Sequence, residues 1–417
     1  MTDLDALVRR HDDFRAMGLS LNIERGQPAD ANFDLATPML TAVGPDEVVT
    51  DSGTDVRNYP GGILGLPEAR ELFAEQLRVA PTQMLVGNAS SLELMGAVLS
   101  RALLNGVRGG ERGWVHDAPP KLVVTVPGYD RHFQLAESLG FELVAVPMTP
   151  GGPDVDALEA LAADDPSVRG LYFVPTYSNP TGDTLSVANA ERLVAMPTAA
   201  PDFTVFADDA YAVHHLVEPP PERPRLLELA AAAGRPDRVL LFGSTSKVTF
   251  AGGGLCFMAA NEENLAFWAK RLSAQSIGPN KVEQWRHVRF LRQFPGGLAG
   301  LMREHARILK PKFDAVQTVL DERLGNRGLA SWTRPAGGYF VCLRTARPVA
   351  ARTVELAREA GVALTPPGAT HPGGVDPENR TLRLAPTRPP LEDVRTAMEV
   401  VANAVALASA EHEARES

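Results

Sequence analysis

Between residues 84 and 260 the chain alternates short apolar runs with polar turns and helical stretches. The runs are rich in Val, Leu and Phe, and they include KLVVTV (121–126), GLYFV (170–174), FTVFA (203–207) and RVLLF (238–242). Runs that are apolar at successive positions are typical of strands buried on both faces of a parallel sheet. The pattern therefore predicts an α/β core, a mostly parallel sheet sandwiched by helices.

The two flanks of this core have a different pattern. Residues 263–323 show helical periodicity, and from about residue 328 short strands such as GGYFVCL and TLRLAP mix with helices. We assign residues 1–50 to an N-terminal arm and part of a small domain, residues 51–300 to a large α/β domain, and residues 301–417 to a C-terminal small α+β domain.

Composition excludes several classes of protein. The 417 residues carry a formal net charge of -10, and no basic cluster is present, so we expect no nucleic-acid partner. No apolar stretch approaches the length of a membrane span, and the charged N-terminus does not resemble a signal peptide. The two cysteines, Cys256 and Cys342, lie in apolar runs, which indicates buried thiols in a reducing cytoplasm.

Polar residues follow the apolar runs in a series of turns. Because the carboxyl ends of parallel strands converge at one edge, we expect these turns to form a ligand site. The residues concerned are Asn88, Ala89, Ser90 and Ser91 after MLV, Tyr129 after VTVPG, Asn179 after VPTYS, Asp208 after VFA, and Ser244, Ser246 and Lys247 after LLFG.

Lys247 indicates the chemistry of this site. Burial disfavours the charged form of a lysine, and a neutral amine can attack a carbonyl and hold it as a Schiff base. An aldehyde cofactor with a pyridine nitrogen, a phenolic oxygen and a phosphate needs a carboxylate, a hydrogen-bond donor, an aromatic plate and an anion cradle. The turns offer these groups in Asp208, in Asn179 with Tyr211, in Tyr129, and in the NASS turn with Ser244.

Six motifs in order now carry a specific resemblance: VGNASSLEL, PGYDRHF, YSNPTG, ADDAY, STSK and PAGGYF. Together they resemble the fold-type I aminotransferases that depend on pyridoxal 5'-phosphate, the aspartate aminotransferase superfamily. The resemblance extends from RGQP (25–28) to LRLAP (382–386). The sequences PGYDRHF, STSKVTFAGGG and SIGPNKVEQWRH are similar to those of a less common bacterial subgroup of aspartate aminotransferases.

The resemblance implies a role for each matching residue. Lys247 would bind the cofactor aldehyde and later move the substrate proton, Asp208 would keep the pyridine nitrogen protonated, and Tyr129 would stack on the ring. The phenolic oxygen would be bound by Asn179 and Tyr211, and the phosphate by Ala89, Ser90 and Ser244, beside Asn88 and Ser246. The substrate would be bound by Gly26, Asn179 and Arg383, with Arg383 on its α-carboxylate, and Tyr59 would reach the phosphate from a second subunit. The bond between Asn179 and Pro180 is a candidate cis peptide.

One position departs from the family pattern. Many relatives carry an arginine for the phosphate about eight residues after the lysine, where this chain has Leu255. We expect Lys281 of GPNK, from the same chain or from the neighbouring subunit, to supply the missing cation. Arg131 is a candidate for binding the distal carboxylate of the substrate, and a solvated loop arginine is the alternative.

The residues beside the motifs leave some assignments open. Asp209 could replace Asp208, although the D-x-A-Y spacing to Tyr211 favours Asp208. His132 is a candidate partner of Asp208. The adjacent His214 and His215 point in different directions on regular structure, so we expect no metal site.

The predicted function is a cytoplasmic, homodimeric transaminase that works by ping-pong half-reactions on small-molecule amino acid and 2-oxo acid substrates. L-aspartate and 2-oxoglutarate are the expected pair. The sequence is also compatible with another amino donor, aromatic or aminoadipate, and with a β-eliminating lyase that uses the same cofactor. A ligand sensor with a transaminase-like domain is less compatible, because residues 1–24 are too short for a helix-turn-helix domain.

Overall fold

The computed structural model describes residues 4–59, 62–110, 112–117 and 119–416. The helices are α1 Leu4–Ala16, α2 Asp30–Ala36, α3 Pro67–Leu77, α4 Ser91–Asn105, α5 Asp130–Ser138, α6 Val155–Asp164, α7 Val187–Ala195, α8 Leu226–Ala232, α9 Glu262–Leu272, α10 Lys281–Gln293, α11 Gly297–Leu324, α12 Ala350–Glu359 and α13 Leu391–Glu416. The strands are β1 Leu21–Asn22, β2 Met84–Asn88, β3 Lys121–Val126, β4 Glu142–Thr149, β5 Gly152–Pro153, β6 Val168–Phe173, β7 Thr204–Asp208, β8 Val239–Ser244, β9 Leu255–Ala259, β10 Ala330–Trp332, β11 Val341–Thr345, β12 Val362–Ala363 and β13 Thr381–Leu384.

The main sheet has the strand order β2-β9-β8-β7-β6-β3-β4-β5. The neighbours from β8 to β4 pair in parallel, whereas β9 is antiparallel to both of its neighbours and β5 is antiparallel to β4. The residues of β6, β7 and β8 are buried throughout. The predicted fold class, a mostly parallel sheet covered by helices, is confirmed.

Strand β9 differs from the alternation that the sequence suggested. After GSTSK the chain does not enter a helix but reverses and returns through the sheet as LCFMA, with every residue buried. Gly254 permits this reversal, because a Cβ atom there would lie 2.8 Å from the carbonyl oxygen of Ala89. A strand this apolar is stabilised by burial on both faces, which only the completed sheet supplies.

The parallel strands bring their final residues to one edge of the sheet. Asp208 ends β7 and Ser244 ends β8, and the two strands pair in parallel. Strand β2 runs in the same direction as β8, because each is antiparallel to β9, so Asn88 at its end reaches the same edge. The predicted convergence of the turns follows from this topology.

A second hydrophobic core lies against this edge. It contains Ile23 from the start of the chain together with residues of α11, α12 and α13 and of the antiparallel sheet β10-β11-β13. Strand β1 pairs in parallel with β12, which ties the N-terminal segment to the C-terminal part. The core around the main sheet includes residues from Ala36 to Met302. The domain boundaries at residues 51 and 301 stay a prediction.

Two further expectations concern the whole chain. Cys256 and Cys342 are buried and free, as their apolar surroundings predict. In the part of the chain that the structure describes, no helix combines the length and the apolar composition that crossing a membrane requires.

Candidate active site

A cavity of about 740 Å³ opens where the carboxyl edge of the main sheet meets the second core. Residues from both ends of the chain and from its centre line it, which explains why no single motif defines it. Of the predicted site residues, the cavity wall includes Gly26, Tyr129, Arg131, Asn179, Tyr211, Lys247 and Arg383.

Lys247 lies in the turn directly after β8. Its Nζ is 5.2 Å from the ring centroid of Tyr211 and 6.0 Å from that of Tyr339. Its carbonyl oxygen lies 3.2 Å from Nε2 of His214 and accepts a hydrogen bond of 3.4 Å from the Tyr339 hydroxyl. Burial lowers the pKa of the Lys247 amine, and the carboxylate of Asp208 acts in the opposite direction. A lysine with a lowered pKa has more of the neutral amine that attacks carbonyl groups.

Asp208 is buried at the end of β7 with an exposed fraction of 3%. Its Oδ2 lies 3.0 Å from Nε2 of His132, as expected from the sequence, and the His132 ring stacks on Tyr172 with centroids 3.8 Å apart. Oδ1 of Asp208 is buried and has no hydrogen-bond partner among the described residues. An unpaired buried carboxylate oxygen is costly, so a hydrogen-bond donor or a cation beside this atom would be stabilising.

The structure separates Asp208 from its neighbour. Successive residues at the end of a strand point to opposite faces, and Oδ2 of Asp209 pairs with Nη1 of Arg223 at 3.2 Å. Burial raises the pKa of the Asp209 carboxyl. Each carboxylate has one buried oxygen without a hydrogen-bond partner among the described residues, so their partners distinguish them: Arg223 for Asp209, and His132 for Asp208.

Three further residues surround Lys247 in the cavity. Asn179 is 2% exposed, and its bond to Pro180 is cis, as the resemblance implies. Tyr211 is buried, which raises the pKa of its hydroxyl well above the ordinary value. Tyr129 precedes α5, and burial together with the Asp208 carboxylate raises its pKa to about 12. Both phenols are therefore neutral donors at physiological pH.

The NASS turn has the geometry of an anion cradle. Ala89 has a φ of 52°, a left-handed conformation that is uncommon for a residue with a side chain. Ser90 follows as the N-cap of α4, and its hydroxyl accepts from the backbone N–H of Glu93 at 3.4 Å. Gly254 lies against the Ala89 carbonyl and near the Ser246 hydroxyl. The amino end of α4 thus faces the turn after β8, with buried Ser244 at the strand end.

Lys281, the first residue of α10, is a buried cation with an exposed fraction of 4%. Its Nζ has no hydrogen-bond partner among the described residues, and burial lowers its pKa. The preceding residue, Asn280, donates its backbone N–H to Oδ1 of Asn88 at 2.7 Å. Asn88 in turn pairs with Leu255 across β2 and β9. Helix α10 therefore begins beside strands β2 and β9. In this region Leu255 stands at the position where many relatives would carry an arginine.

Arg383 reaches the cavity from β13, in the small antiparallel sheet. It is 7% exposed, and its guanidinium lies 5.3 Å from the ring centroid of Phe340. Its Nε donates to Oγ1 of Thr365 at 3.1 Å, and its Nη1 donates to Oδ1 of Asp130 at 3.0 Å and to Oδ1 of Asn179 at 3.4 Å. These partners orient a guanidinium fork toward the cavity, as carboxylate recognition requires.

The cavity opens to solvent between α5 and the segment 366–374. Arg131 is exposed here, and its Nη1 donates to Oε1 of Gln134 at 3.0 Å. Arg25, next to Gly26, lines the same opening with an exposed side chain. A Cβ atom at Gly26 would lie 2.4 Å from Cζ of Phe340, so only glycine lets the backbone pass this ring.

Tyr59 is not part of this cavity. Its side chain is 80% exposed in the single chain, so a contribution to a second subunit stays a prediction. Among the described residues, no group of three or more His, Cys, Asp or Glu is placed to hold a metal ion.

Some residues of the cavity wall were not found from the sequence. Asp130, Thr365, Phe340 and Arg25 line it beside the predicted residues. Asp130 and Arg25 stand next to Tyr129 and Gly26, so adjacency to a motif was the available signal. Thr365 had none, because its contact with Arg383 joins two separate segments of the fold.

Comparisons with known proteins agree with this architecture. Residues 2–417 match the family model described as aspartate amino-transferase. An aspartate aminotransferase from Corynebacterium glutamicum is 44% identical over 97% of this chain and 93% of its own length. The crystal structure of an aspartate transaminase from the same species superposes with a TM-score of 0.95 at 44% identity, covering 98% of this chain and 96% of that one.

A more distant neighbour shares the fold alone. LysN, an α-aminoadipate aminotransferase from Thermus thermophilus crystallised with N-(5'-phosphopyridoxyl)-L-leucine, has a TM-score of 0.76 at 24% identity and covers 97% of this chain and 95% of its own. The predicted aminotransferase class is confirmed by the nearer relatives. The chain belongs to the aspartate aminotransferase family, and it is an enzyme that transfers amino groups.

Proposed function

We propose that this enzyme uses pyridoxal 5'-phosphate to exchange an amino group between L-aspartate and 2-oxoglutarate, giving oxaloacetate and L-glutamate in two half-reactions. The observation that carries the proposal is a single cavity that combines the buried amine of Lys247 with the guanidinium of Arg383. An amine and a carboxylate clamp are the two groups that an amino acid substrate and an aldehyde cofactor require. The name of the 44% identical relative supports aspartate as the donor.

The residues present fit the cofactor. Pyridoxal phosphate supplies an aldehyde that condenses with amines and a protonated pyridine ring that withdraws electrons from the bonded carbon. The unpaired Oδ1 of Asp208 would accept a hydrogen bond from the pyridinium N–H, because that buried oxygen has no partner among the described residues. Asn179 and Tyr211 would donate to the phenolic oxygen, and Tyr129 would cover the ring.

Lys247 has two tasks in this proposal. Its neutral amine would hold the cofactor aldehyde when no substrate is present, and it would then take the proton from the substrate Cα and return it. The hydroxyl of Tyr339 donates to the Lys247 carbonyl, and Nε2 of His214 lies within hydrogen-bond distance of it, so the turn is held while the side chain moves. Burial lowers the pKa of His214 to about 3, so this imidazole stays neutral over the working pH range.

Lys281 would balance the charge of the cofactor phosphate in place of the arginine that Leu255 replaces. The support is its buried Nζ without a partner among the described residues. We expect Lys281→Met to weaken the affinity of the apoprotein for pyridoxal phosphate about 10- to 100-fold, the range of a charge-assisted hydrogen bond, and to leave the affinity for pyridoxal unchanged.

Lys310→Met is the matched control for this measurement, because Lys310 pairs with Asp314 on the exposed face of α11. The Lys281→Met apoprotein should also unfold at higher urea concentration, since an uncompensated buried charge is removed. Equal loss of affinity for both pyridoxal and its phosphate would contradict the assignment.

The two carboxylates of the substrates would be bound at opposite ends of the cavity. Arg383 would hold the α-carboxylate, and Arg131 at the opening would hold the distal one. Aspartate and 2-oxoglutarate each carry both groups, so one pair of arginines serves both half-reactions.

We also propose that the enzyme is a cytoplasmic homodimer. Tyr59, 80% exposed in the single chain, would contact the cofactor phosphate of the second subunit. Other large apolar side chains are exposed in the same N-terminal part of the chain, including Leu40 and Val49. Sedimentation equilibrium at micromolar concentration should give twice the chain mass, and Tyr59→Ala should weaken phosphate binding without changing that mass.

The visible absorption spectrum tests the proposal directly. Protein loaded with pyridoxal phosphate should be yellow, bleach with L-aspartate alone and regain its colour with 2-oxoglutarate. Lys247→Ala should never show the band of the lysine-bound aldehyde. A band that does not respond to aspartate but responds to L-phenylalanine or 2-aminoadipate would indicate another amino donor. Steady release of sulfide, pyruvate and ammonia from L-cysteine would indicate a β-eliminating lyase. The absence of any band would overturn the role of Lys247.

A further inference from the structure

The substrate clamp already holds a carboxylate of the protein itself. Oδ1 of Asp130 accepts from Nη1 of Arg383 at 3.0 Å, and both residues line the cavity. Arg383 is nearly buried, whereas the Asp130 side chain is 24% exposed. The pair joins α5, beside the main sheet, to β13 of the second core. The guanidinium thus has a partner of the same chemical type as the α-carboxylate of an amino acid.

We propose that Asp130 is an intramolecular competitor that the α-carboxylate of each substrate displaces from Arg383. This inference rests on the proposed function of Arg383. Two carboxylates on one guanidinium nitrogen repel each other, so the substrate gains Arg383 only as Asp130 releases it. The apparent affinity of the enzyme for its substrate is the intrinsic affinity multiplied by the fraction of molecules in which Arg383 is free of Asp130.

The competition suits a reaction with two half-cycles. Both products carry an α-carboxylate as well, so each must leave Arg383 before the next substrate can bind. When Asp130 returns to Nη1, it replaces the departing carboxylate and no buried guanidinium is left without a counter-ion. Thr365 on Nε stays in place throughout and keeps the fork oriented.

A structural role for Asp130 makes a different prediction. Asp130 is also the first residue of α5, where its negative charge stabilises the helix by interacting with the positive end of the helix dipole. If that were its whole role, removing the charge would reduce stability and leave anion binding unchanged or weaker. If it competes for Arg383, removing the charge strengthens anion binding.

Calorimetric titration of the holoenzyme with maleate, a dicarboxylate that carries no amine, separates the two roles. Asp130→Asn keeps the shape of the side chain and removes the charge. We expect the maleate Kd to fall about 10- to 100-fold, the range of a charge-assisted hydrogen bond. In steady state the KM for both L-aspartate and 2-oxoglutarate should fall, and kcat should fall as well where product release limits the rate.

Glu137→Gln is the matched control. Glu137 lies on the same helix and the same cavity wall, but its Oε1 accepts from the backbone N–H of Gly373 at 3.2 Å rather than from Arg383. Its maleate Kd should stay within about twofold of the wild-type value, since a screened charge at a distance contributes little. In an Arg383→Gln background, Asp130→Asn should have no effect on maleate binding.

An unchanged or increased maleate Kd in a folded Asp130→Asn holoenzyme would overturn the proposal, and so would equal tightening in Glu137→Gln. Where Asp130→Asn does not fold, Asp130→Ser supplies the same test with a side chain that is favourable at a helix start. Maleate binding requires no turnover. An enzyme that ignores L-aspartate but binds maleate more tightly in Asp130→Asn would therefore contradict the proposed substrate and support the competition.

Discussion

The two ends of the cavity differ in how their residues are held. At the inner end, which we call the cofactor side, Asp208 ends strand β7, and Lys247 and Asn179 lie in turns that follow strands of the main sheet. Asp208 and Asn179 are at most 3% exposed. At the outer end, the mouth, Arg25 and Arg131 are exposed, and their side-chain partners are on the surface. In the proposed function, the groups that would hold the cofactor are therefore built on buried strand ends, whereas the groups that would select the substrate lie on exposed segments.

The physical consequence concerns the energy of each contact. Hydrogen bonds and charges on the cofactor side act in a medium of low dielectric constant, so removing one leaves its partner unsatisfied. Charges at the mouth are screened by water and salt. Substitutions should therefore cost most at the cofactor side, and a large effect at the mouth would contradict this division.

The largest effect is expected at Asp208. Asp208→Asn removes the charge that would keep the pyridine nitrogen protonated, and kcat should fall about 1,000-fold, within the range of acid–base contributions. The adjacent Asp209→Asn is the control, because its carboxylate pairs with Arg223 rather than with His132. Steady-state rates with L-aspartate and 2-oxoglutarate provide the measurement. A larger loss in Asp209→Asn would exchange the roles of the two residues.

Next in size is the acid sensitivity of His305, a buried histidine of α11. Burial lowers the pKa of His305 from 6.5 to about 4, and neither ring nitrogen has a partner among the described residues. The unfolded chain then binds more protons, so stability falls as the pH drops from 6.5 to 4, by about 3 kcal/mol for this residue.

Urea unfolding at pH 7 and pH 4.5 checks this expectation. His305→Leu should lose less stability than the wild type between the two pH values. His116 is exposed, so His116→Leu should lose as much free energy of unfolding between pH 7 and pH 4.5 as the wild type does. If His305→Leu and the wild type lose equal amounts, the imidazole is hydrated or paired in solution.

A moderate effect is expected at the mouth. Arg131→Gln should lower kcat/KM for L-aspartate about 30-fold, because aspartate carries a distal carboxylate. The kcat/KM for L-alanine, which has no distal carboxylate, should stay unchanged. Arg25→Gln is the matched substitution on the other wall of the opening. It should change kcat/KM for either substrate about threefold at most. Should Arg25→Gln show the larger loss with aspartate, the distal carboxylate belongs to Arg25.

The smallest effect is expected at His132, which acts through Asp208. His132→Gln removes the stacking on Tyr172 and loosens the hydrogen bond to Oδ2 of Asp208, so kcat should fall about 10-fold. The pH dependence of the cofactor absorption should shift as well, which a purely structural role would not cause. Unchanged absorption and rate would remove His132 from the site.

Much of the cofactor side could be predicted from the sequence. Strands β3, β6, β7 and β8 correspond to the four apolar runs within two residues. The turn residues follow them directly, so strand order was not needed to expect that they converge. Strand β9 was missed, because five apolar residues after a glycine-rich loop indicate burial but neither direction nor partner.

By itself the sequence determined the parts of the protein that depend on local order: the buried strands of the parallel core and the turn that carries Lys247. These features depend on residues that are neighbours along the chain, so spacing and side-chain type suffice to predict them. The aminotransferase class followed instead from the resemblance of six ordered motifs to a known family.

Only the tertiary structure decided which distant residues touch. Asp130 and Arg383 are 253 positions apart, and their ion pair exists because α5 and β13 meet at the cavity. The free oxygen of Asp208 and the unpaired ammonium of Lys281 are also products of packing, because burial removes water and topology decides which partner replaces it. Patterns along a chain carry no information about such pairs, since nothing in either segment specifies the other.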